Sequence, residues 1–509
     1  MEILSYSECL KEMFALGRFG IKLELETISG ILKRLGSPEK RFRSIHIAGT
    51  NGKGSIASYV ASILRCSGFT TGLYTSPHLI KFNERFCING NMVSDDVVVE
   101  SYLAVKNADT GYRKATFFEI STAMAFYIFA KSDVEWAVIE TGMGGRLDAT
   151  NVLDPAVTII SNLSIEHTEY LGDTIEQIAA EKGGIIKQST PLVTGATQRS
   201  AIAVLHAIAA KQAAPVYEYG KEFNIIQVEP DTMTKLEDKT GQGTRFTYKG
   251  INVIWEKMET RLPGLHQIQN SALALATCEL IIIQNQQKKN KQQAGDGQTG
   301  SKSNQNRCQI TEESVRKGLA ATKWPGRLEY IMKTPLVVID GAHNLDAAEN
   351  LGKYLQKHHG SRIDNHNSTK HDCLSHIQKK TTHPARLTMI IGILNDKPYK
   401  EMLSHMLPAA DRVIFTRAGI DRSLDPKVLK DFATNIINVG VEVKIIENVG
   451  EAVEYAINEA LNNKVEKNLE ANTQATEEEC ICVAGSLYVA GEAREKILKD
   501  FLTDSDFQS

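Results

Sequence analysis

Short apolar runs alternate with helical patterns along most of this 509-residue chain. SIHIA (44–48), WAVIE (136–140), AVTIIS (156–161), LVVID (336–340), LTMIIGI (387–393), RVIFT (412–416), VEVKII (441–446) and CICVAG (480–485) read as buried strands, many of them followed by amphipathic segments. Parallel strands need such crossovers, so the rhythm predicts an α/β protein with largely parallel sheets. A chain of this length with 42 % hydrophobic residues can bury more than one core, and two domains are the default. TKWPGRLEY (322–330) marks the boundary, because Pro325 and Gly326 end a helical stretch that begins near Thr311. The expected domains are 1–323 and 324–509.

Three polar stretches interrupt this pattern: 285–306, 361–385 and 462–479. Poor in apolar residues, they cannot offset their ordering entropy and are expected to be mobile surface insertions. His366, His371, His376 and His383 in the middle stretch lack regular spacing and a cysteine partner, so a solvated loop is preferred there over a metal site. A formal net charge of −3 gives no reason to expect nucleic acid or an anionic membrane as the partner. The N-terminus lacks the pattern of a signal peptide and no run of about 18 apolar residues occurs. A cytoplasmic monomer acting on small molecules is the expectation. The eight cysteines form no CxxC pair, and Cys480 and Cys482 read as strand packing.

GTNGKGS (49–55) follows the first apolar run directly, and Ile56, Tyr59, Val60, Ile63 and Leu64 then recur on one helical face. Strand, glycine loop and helix in this order make a phosphate cradle: the helix N-terminus presents N–H groups, glycines allow close approach, and Lys53 adds a charge. The loop is not the strict GxxxxGK[ST], since Gly54 follows Lys53. A flexible turn carrying a surface lysine is the alternative.

Taken with TSPHL (75–79), FNERFCING (82–90), ETGMGGRLDATN (140–151), EHTEYLG (166–172), EKGGIIK (181–187), HQIQNSALA (266–274), WPGRLE (324–329), DGAHN (340–344) and GSLYVAGEAR (485–494), this loop makes the chain resemble the folylpolyglutamate synthases and dihydrofolate synthases of the Mur ligase superfamily. The resemblance covers nearly everything except the three polar stretches. Departures from the family pattern are Glu166 before His167, Gly183 after Lys182 and Leu345 after DGAHN. The implied architecture is an N-terminal P-loop-type Mur ligase ATP-binding domain with a mainly parallel sheet, and a smaller Rossmann-like C-terminal domain. The implied reaction is ATP-dependent amide formation: a carboxylate of dihydropteroate or of a (poly)glutamylated tetrahydrofolate becomes an acyl phosphate, and the amine of L-glutamate displaces phosphate. A folylpolyglutamate-only enzyme and another Mur-type ligase are the near alternatives; an NTPase switch would use the same cradle without a carboxylate acceptor.

The residue roles follow from the same resemblance. Lys53, Glu140, His167 and Lys182 are the candidate catalytic set. Asn51, Gly52, Lys53 and Gly54 would hold phosphates, Asn270 would lie near the adenine, and Arg327 and Asp340 would reach ATP from the C-terminal domain. Ser76 and Glu140 would hold one Mg²⁺ and His167 approach a second, their oxygens suiting that ion. Asp148 would hydrogen-bond the pterin, with Phe118 stacking or serving as plain core, and His343 and Ser486 would hold glutamate. In GDTIEQIAAEKGG, Asp173 is the expected cap with Glu176 at the third helical position, and Lys182 shares a face with Ile175 and Ile178. An inward lysine favours the neutral amine, which can add CO₂, and the family carries a carbamylated lysine at the matching position. A lysine complementing the helix C-terminus is the other reading.

Overall fold

In the computed structural model, which describes residues 4–16, 24–111, 113–229, 243–295, 308–359, 386–437, 440–470 and 479–502, SIHIA becomes the strand β1 (Arg43–Ala48) near the middle of a large sheet. The other strands of that sheet are β2 (Thr71–Tyr74), β3 (Phe86–Ile88), β4 (Asn91–Met92), β5 (Trp136–Glu140), β6 (Val157–Ile160), β7 (Leu192–Thr194) and β8 (Val216–Glu218), in the order β4-β3-β2-β5-β1-β6-β7-β8. From β2 to β8 all pairings are parallel, whereas β3 pairs antiparallel with both β2 and β4. Ile45, Ile47, Val138 and Ile159 bury one face beneath the helix Lys53–Cys66, whereas Ala137 and Ile139 face a second cluster with Phe126 and Phe129 of the helix Phe117–Lys131. This two-sided burial explains why the central strands lack polar–apolar alternation.

The chain divides into two units, Met1–Trp324 and Pro325–Ser509. Besides its large sheet, the first unit holds an antiparallel sheet of β9 (Asn224–Val228), β10 (Thr244–Lys249) and β11 (Ile254–Thr260), ordered β11-β10-β9, which the apolar-run pattern did not disclose. The helix Leu265–Gly295 ties the parts together. Near its start Gln267 Nε2 donates to Ser55 Oγ at 3.2 Å. Farther along, the buried Glu279 carboxylate accepts from Tyr248 OH and from the backbone N–H groups of Ile251 and Asn252, pinning the β10–β11 turn. Gln284 Nε2 then donates to the carbonyl of Ala156, just ahead of β6.

In the second unit, β12 (Glu329–Lys333), β13 (Leu336–Ile339), β14 (Arg386–Ile391), β15 (Arg412–Arg417), β16 (Glu442–Asn448) and β17 (Glu479–Ala484) are ordered β12-β13-β17-β14-β15-β16. Only β12 pairs antiparallel. VEVKII lies in β16, an edge strand that is half-buried and not the fully covered strand its composition suggests. Cys480 and Cys482 are fully buried in β17, as packing residues should be, and burial raises the pKa of both thiols.

Two helices outlast the boundaries set by composition. Leu265–Gly295 runs into the first polar stretch and Val449–Glu470 into the third, because good helix formers continue a turn even without an apolar face. Positions 296–306 and 471–478, and the whole histidine-bearing stretch 361–385, lie outside the described residues. Among the described residues no helix is long and apolar enough to cross a membrane.

The helix Glu312–Ala320 packs closely on Lys53–Cys66: a Cβ at Gly318 would come within 2.4 Å of Ile63 Cα, and Ser62 Oγ donates to the Gly318 carbonyl at 2.7 Å. Neither backbone can yield cheaply, so Gly318→Ala should lower stability by about 1–3 kcal/mol. A urea unfolding midpoint equal to that of the parent would contradict this packing.

Candidate active site

The C-terminal ends of β2, β5, β1 and β6, adjacent in that order, deliver Ser76, Glu140, the glycine loop and Ser161–Ser164 to one edge of the sheet, where open α/β sheets place their ligands. The loop is shaped by its neighbours. Gly49 has φ +143 and a Cβ there would stand 1.8 Å from Ser161 Oγ; Gly52 has φ +84 and a Cβ there would meet Asn270 Oδ1 at 2.4 Å. Only glycine satisfies both conditions. Asn162 Oδ1 accepts from the Asn51 N–H at 2.7 Å, Ser161 Oγ donates to the Asn51 carbonyl at 2.7 Å, and the Asn162 carbonyl accepts from the Thr50 N–H at 2.9 Å. These contacts from ISNLS set the loop before any ligand contributes. Asn270 rests on Gly52, its Nδ2 donating to Gln267 Oε1 at 3.1 Å, and Gly54 packs under the Trp324 ring.

Two lysines converge on this loop. Lys53 Nζ donates to the carbonyls of Gly49 at 3.2 Å and Thr50 at 3.0 Å and stands 4.0 Å from Glu140 Oε1. Lys182 Nζ donates to the same Gly49 carbonyl at 2.7 Å. The helix Ile175–Gly183 turns Lys182 and Ile178 inward, leaving the lysine 5 % exposed. Burial, with Lys53 reinforcing it, lowers the Lys182 pKa from 10.5 to about 7; Glu166 and Asp148 oppose the shift. The helix is capped one residue later than expected. Thr174, not Asp173, accepts from the N–H of Gln177, and Gln177 Oε1 accepts from the N–H groups of Asp173 and Thr174, because the extended backbone at Thr174 aims its hydroxyl at the first turn.

Glu140 is 5 % exposed, and its Oε2 accepts from the Ser76 N–H at 3.2 Å. A hydroxyl and a carboxylate at one sheet edge are hard oxygen donors of the kind Mg²⁺ takes, and an ion that keeps several waters needs no more from the protein. The described residues contain no group of three His, Cys, Asp or Glu side chains suited to a metal. His167 sits at φ +53 ahead of the short helix Thr168–Leu171, with its half-exposed imidazole 3.8 Å from Glu166.

Phe118 lies against the backbone of Gly142, where a Cβ would strike the ring at 2.4 Å, and 6.2 Å from the Tyr74 ring. Asp148 is buried, and burial raises its carboxyl pKa. All four acceptor positions of its carboxylate are taken: Oδ2 by the N–H groups of Gly142 and Met143, both at 2.9 Å, and Oδ1 by the N–H and hydroxyl of Thr150 at 3.0 and 2.5 Å. The expected role of Asp148 as a direct pterin acceptor does not fit this arrangement, because the chain already supplies every donor the carboxylate can take.

In the second unit, DGAHN and GSLY follow the adjacent parallel strands β13 and β17. Asp340 is buried, and its two oxygens accept from the N–H groups of Leu328 and Ala342, both at 2.8 Å; burial raises its pKa while Arg327 opposes the rise. It holds the turn at Leu328, where φ is +46, in addition to any ribose contact. Arg327 reaches back to the Gly326 carbonyl at 3.0 Å. His343 Nδ1 donates to the Gly341 carbonyl at 2.7 Å. Ser486 is buried as the cap of the helix Leu487–Asp500, its Oγ accepting from the Val489 N–H at 3.1 Å.

Comparison with known proteins matches the same two regions. Residues 47–278 match the Mur ligase middle domain and residues 328–496 the dihydrofolate synthetase C-terminal domain. The dihydrofolate synthase/folylpolyglutamate synthase of Bacillus subtilis is 34 % identical over 427 residues, covering 83 % of this chain and 87 % of the relative. The chain belongs to the dihydrofolate synthase/folylpolyglutamate synthase family. The folylpolyglutamate synthase of Lacticaseibacillus casei is 32 % identical, with 81 % of this chain and 85 % of that one covered. Among solved structures, the Mycobacterium tuberculosis folylpolyglutamate synthase complexed with ADP and AMPPCP superposes with a TM-score of 0.76 at 30 % identity, covering 97 % of this chain and 99 % of that one. Members of this family are ATP-dependent ligases. The family membership explains why a glycine loop, two inward lysines and a carboxylate meet at one sheet edge. His46 and Thr150, which reach Asp148 from below, carried no family role in the sequence reading. The signal for His46 was a polar residue in the middle of a mainly apolar strand; Thr150, in the turn Ala149–Val152, had none.

The buried lysine has a consequence for stability. Its folded pKa of about 7 lies below the unfolded 10.5, so the unfolded chain binds more protons between those values. The penalty is complete below pH 7 and fades as pH rises toward 10.5. In CO₂-free buffer the parent should therefore gain stability relative to Lys182→Met over that window, by up to about 1.4 kcal/mol per pH unit. Parallel curves of urea midpoint against pH for the two proteins would refute an inward, neutralised amine.

Proposed function

We propose that this chain is a bifunctional ligase that joins L-glutamate to 7,8-dihydropteroate and then to the γ-carboxyl of (poly)glutamylated tetrahydrofolates, consuming ATP and releasing ADP and phosphate. The observation that carries the reading is the convergence of Lys53 and Lys182 on the Gly49 carbonyl beside Glu140. Attack of a carboxylate on ATP brings anions together, and Lys53 with the loop N–H groups supplies the positive charge that offsets that repulsion. Lys53, Asn51 and the amides of Gly52 and Gly54 bind the phosphates, Asn270 borders the adenine side, and Phe118 flanks the pterin. Ser76 and Glu140, with His167 for a second ion, are the residues that would hold Mg²⁺, which supplies charge neutralisation on the phosphates when bound. His343 and Ser486 are the residues that would hold the incoming glutamate. The substrates are small molecules, and the protein works as a cytoplasmic monomer.

Lys182 works in this reading as a carbamate. Its neutral amine attacks CO₂: the new N–C bond forms as one C–O π bond opens onto oxygen and one N–H proton leaves to solvent, so a neutral amine becomes an anion that attracts Lys53. Lys182→Ala should lose most turnover and regain part of it in millimolar acetate or formate, while Lys182→Arg stays inactive. A Lys182→Arg enzyme with most of the parent rate would eliminate the carbamate.

A single-activity enzyme is the second reading, favoured by relatives that carry one name only, the Lacticaseibacillus casei folylpolyglutamate synthase and the Saccharomyces cerevisiae dihydrofolate synthetase. ADP release should depend on glutamate with either 7,8-dihydropteroate or tetrahydrofolate as acceptor. Turnover with one acceptor alone would reduce the function to that activity, and turnover with neither would overturn it.

A further inference from the structure

A buried polar chain runs beneath the acceptor side of the site and ends on a residue that nothing in the chemistry above requires. His46, wholly buried in β1, places Nε2 at 2.7 Å from Thr150 Oγ1, and that hydroxyl donates its one proton to Asp148 Oδ1. The hydroxyl can then only accept from the ring, so His46 carries its proton on Nε2. Its Nδ1 is a bare lone pair with no partner among the described residues. Burial, reinforced by Lys187, lowers the ring pKa to about 3 and keeps it neutral.

The far end of the chain is a clamp. With Oδ1 fixed by Thr150, Asp148 turns Oδ2 to the N–H groups of Gly142 and Met143, and the Gly142 backbone is the surface on which the Phe118 ring lies. The Thr150 hydroxyl touches both the carboxylate and the β1 imidazole. Rotation of the carboxylate would release the 142–143 turn and with it the seat of Phe118.

We propose that His46 and Thr150 are positioning residues for the folate acceptor: through Asp148 they fix the Gly142–Met143 turn that seats Phe118. The inference rests on the reading of Phe118 as the pterin-side ring. Neither residue touches substrate, and their effect is on where the acceptor binds, not on how phosphate is held.

Thr150→Val keeps the shape and removes the hydroxyl. Loss of a hydrogen bond to a charged group should raise the KM for tetrahydrofolate about tenfold, with the KM for ATP within about twofold of the parent and Thr150→Ser restoring the parent value. His46→Phe, which leaves the Thr150–Asp148 contacts intact, should raise the acceptor KM by a smaller factor in the same direction, and it serves if Thr150→Val is insoluble. Phe118→Ala, measured alongside, separates the two layers. If Phe118→Ala raises the acceptor KM while Thr150→Val and His46→Phe do not, this inference is overturned and the reading of Phe118 stands. If Phe118→Ala leaves the acceptor KM unchanged, that reading falls and the inference with it. Equal rises in the KM for ATP and for acceptor, or no recovery in Thr150→Ser, would reduce His46 and Thr150 to a general structural role.

Discussion

Two lysine nitrogens share one carbonyl oxygen, that of Gly49, and most of the first unit is arranged so that they can. Two ammonium groups held so close repel each other, the more so because Lys182 is buried where water screens poorly. The loop cannot relax away from them, since Ser161 and Asn162 fix its backbone from one side and Asn270 closes on Gly52 from another. The repulsion is relieved in one of two ways: by neutralising a lysine or by bringing in negative charge. A ligase that must gather phosphates and carboxylates benefits from such a constraint, because anionic ligands relieve the repulsion.

The sheet topology converts this local electrostatics into a reaction site. Parallel strands direct all their C-terminal ends the same way, so loops far apart in sequence arrive together at one edge. Glu140 comes to Lys53 because β5 lies beside β1, in a register that pairs Ile47 with Glu140. The second unit repeats the device with other residues, where β13 and β17 run side by side and bring DGAHN and GSLY to neighbouring strand ends.

Much of the fold was legible because buried parallel strands leave an unmistakable apolar signature, and all eight of the apolar runs named at the outset became strands. β9, β10 and β11 escaped because each mixes polar and apolar residues on a largely half-buried or exposed sheet, and NIIQV or TRFTYK has no uniform character to read. In the site, the glycines and Lys53 were legible from spacing alone, and the inward face of Lys182 from its distance to Ile178. The saturation of Asp148 was not, since it depends on Gly142 and Met143 folding back over six and five residues, a geometry that composition does not encode. His46 was hidden by its neighbours: a single polar residue inside SIHIA is readily absorbed into a strand assignment.

The helix Leu265–Gly295 deserves to be considered as a mechanical part. Along one rod it holds Asn270 against the phosphate loop, Glu279 against the β10–β11 turn, and Gln284 against the residue that precedes β6. A helix is stiff along its axis, so a shift at Gly52 cannot be absorbed between these contacts; it is carried along the rod as a lever carries it. The antiparallel sheet, remote in topology from the glycine loop, is therefore coupled to it through one helix, and a substitution that loosens the β10–β11 turn would loosen the support of Gly52 as well.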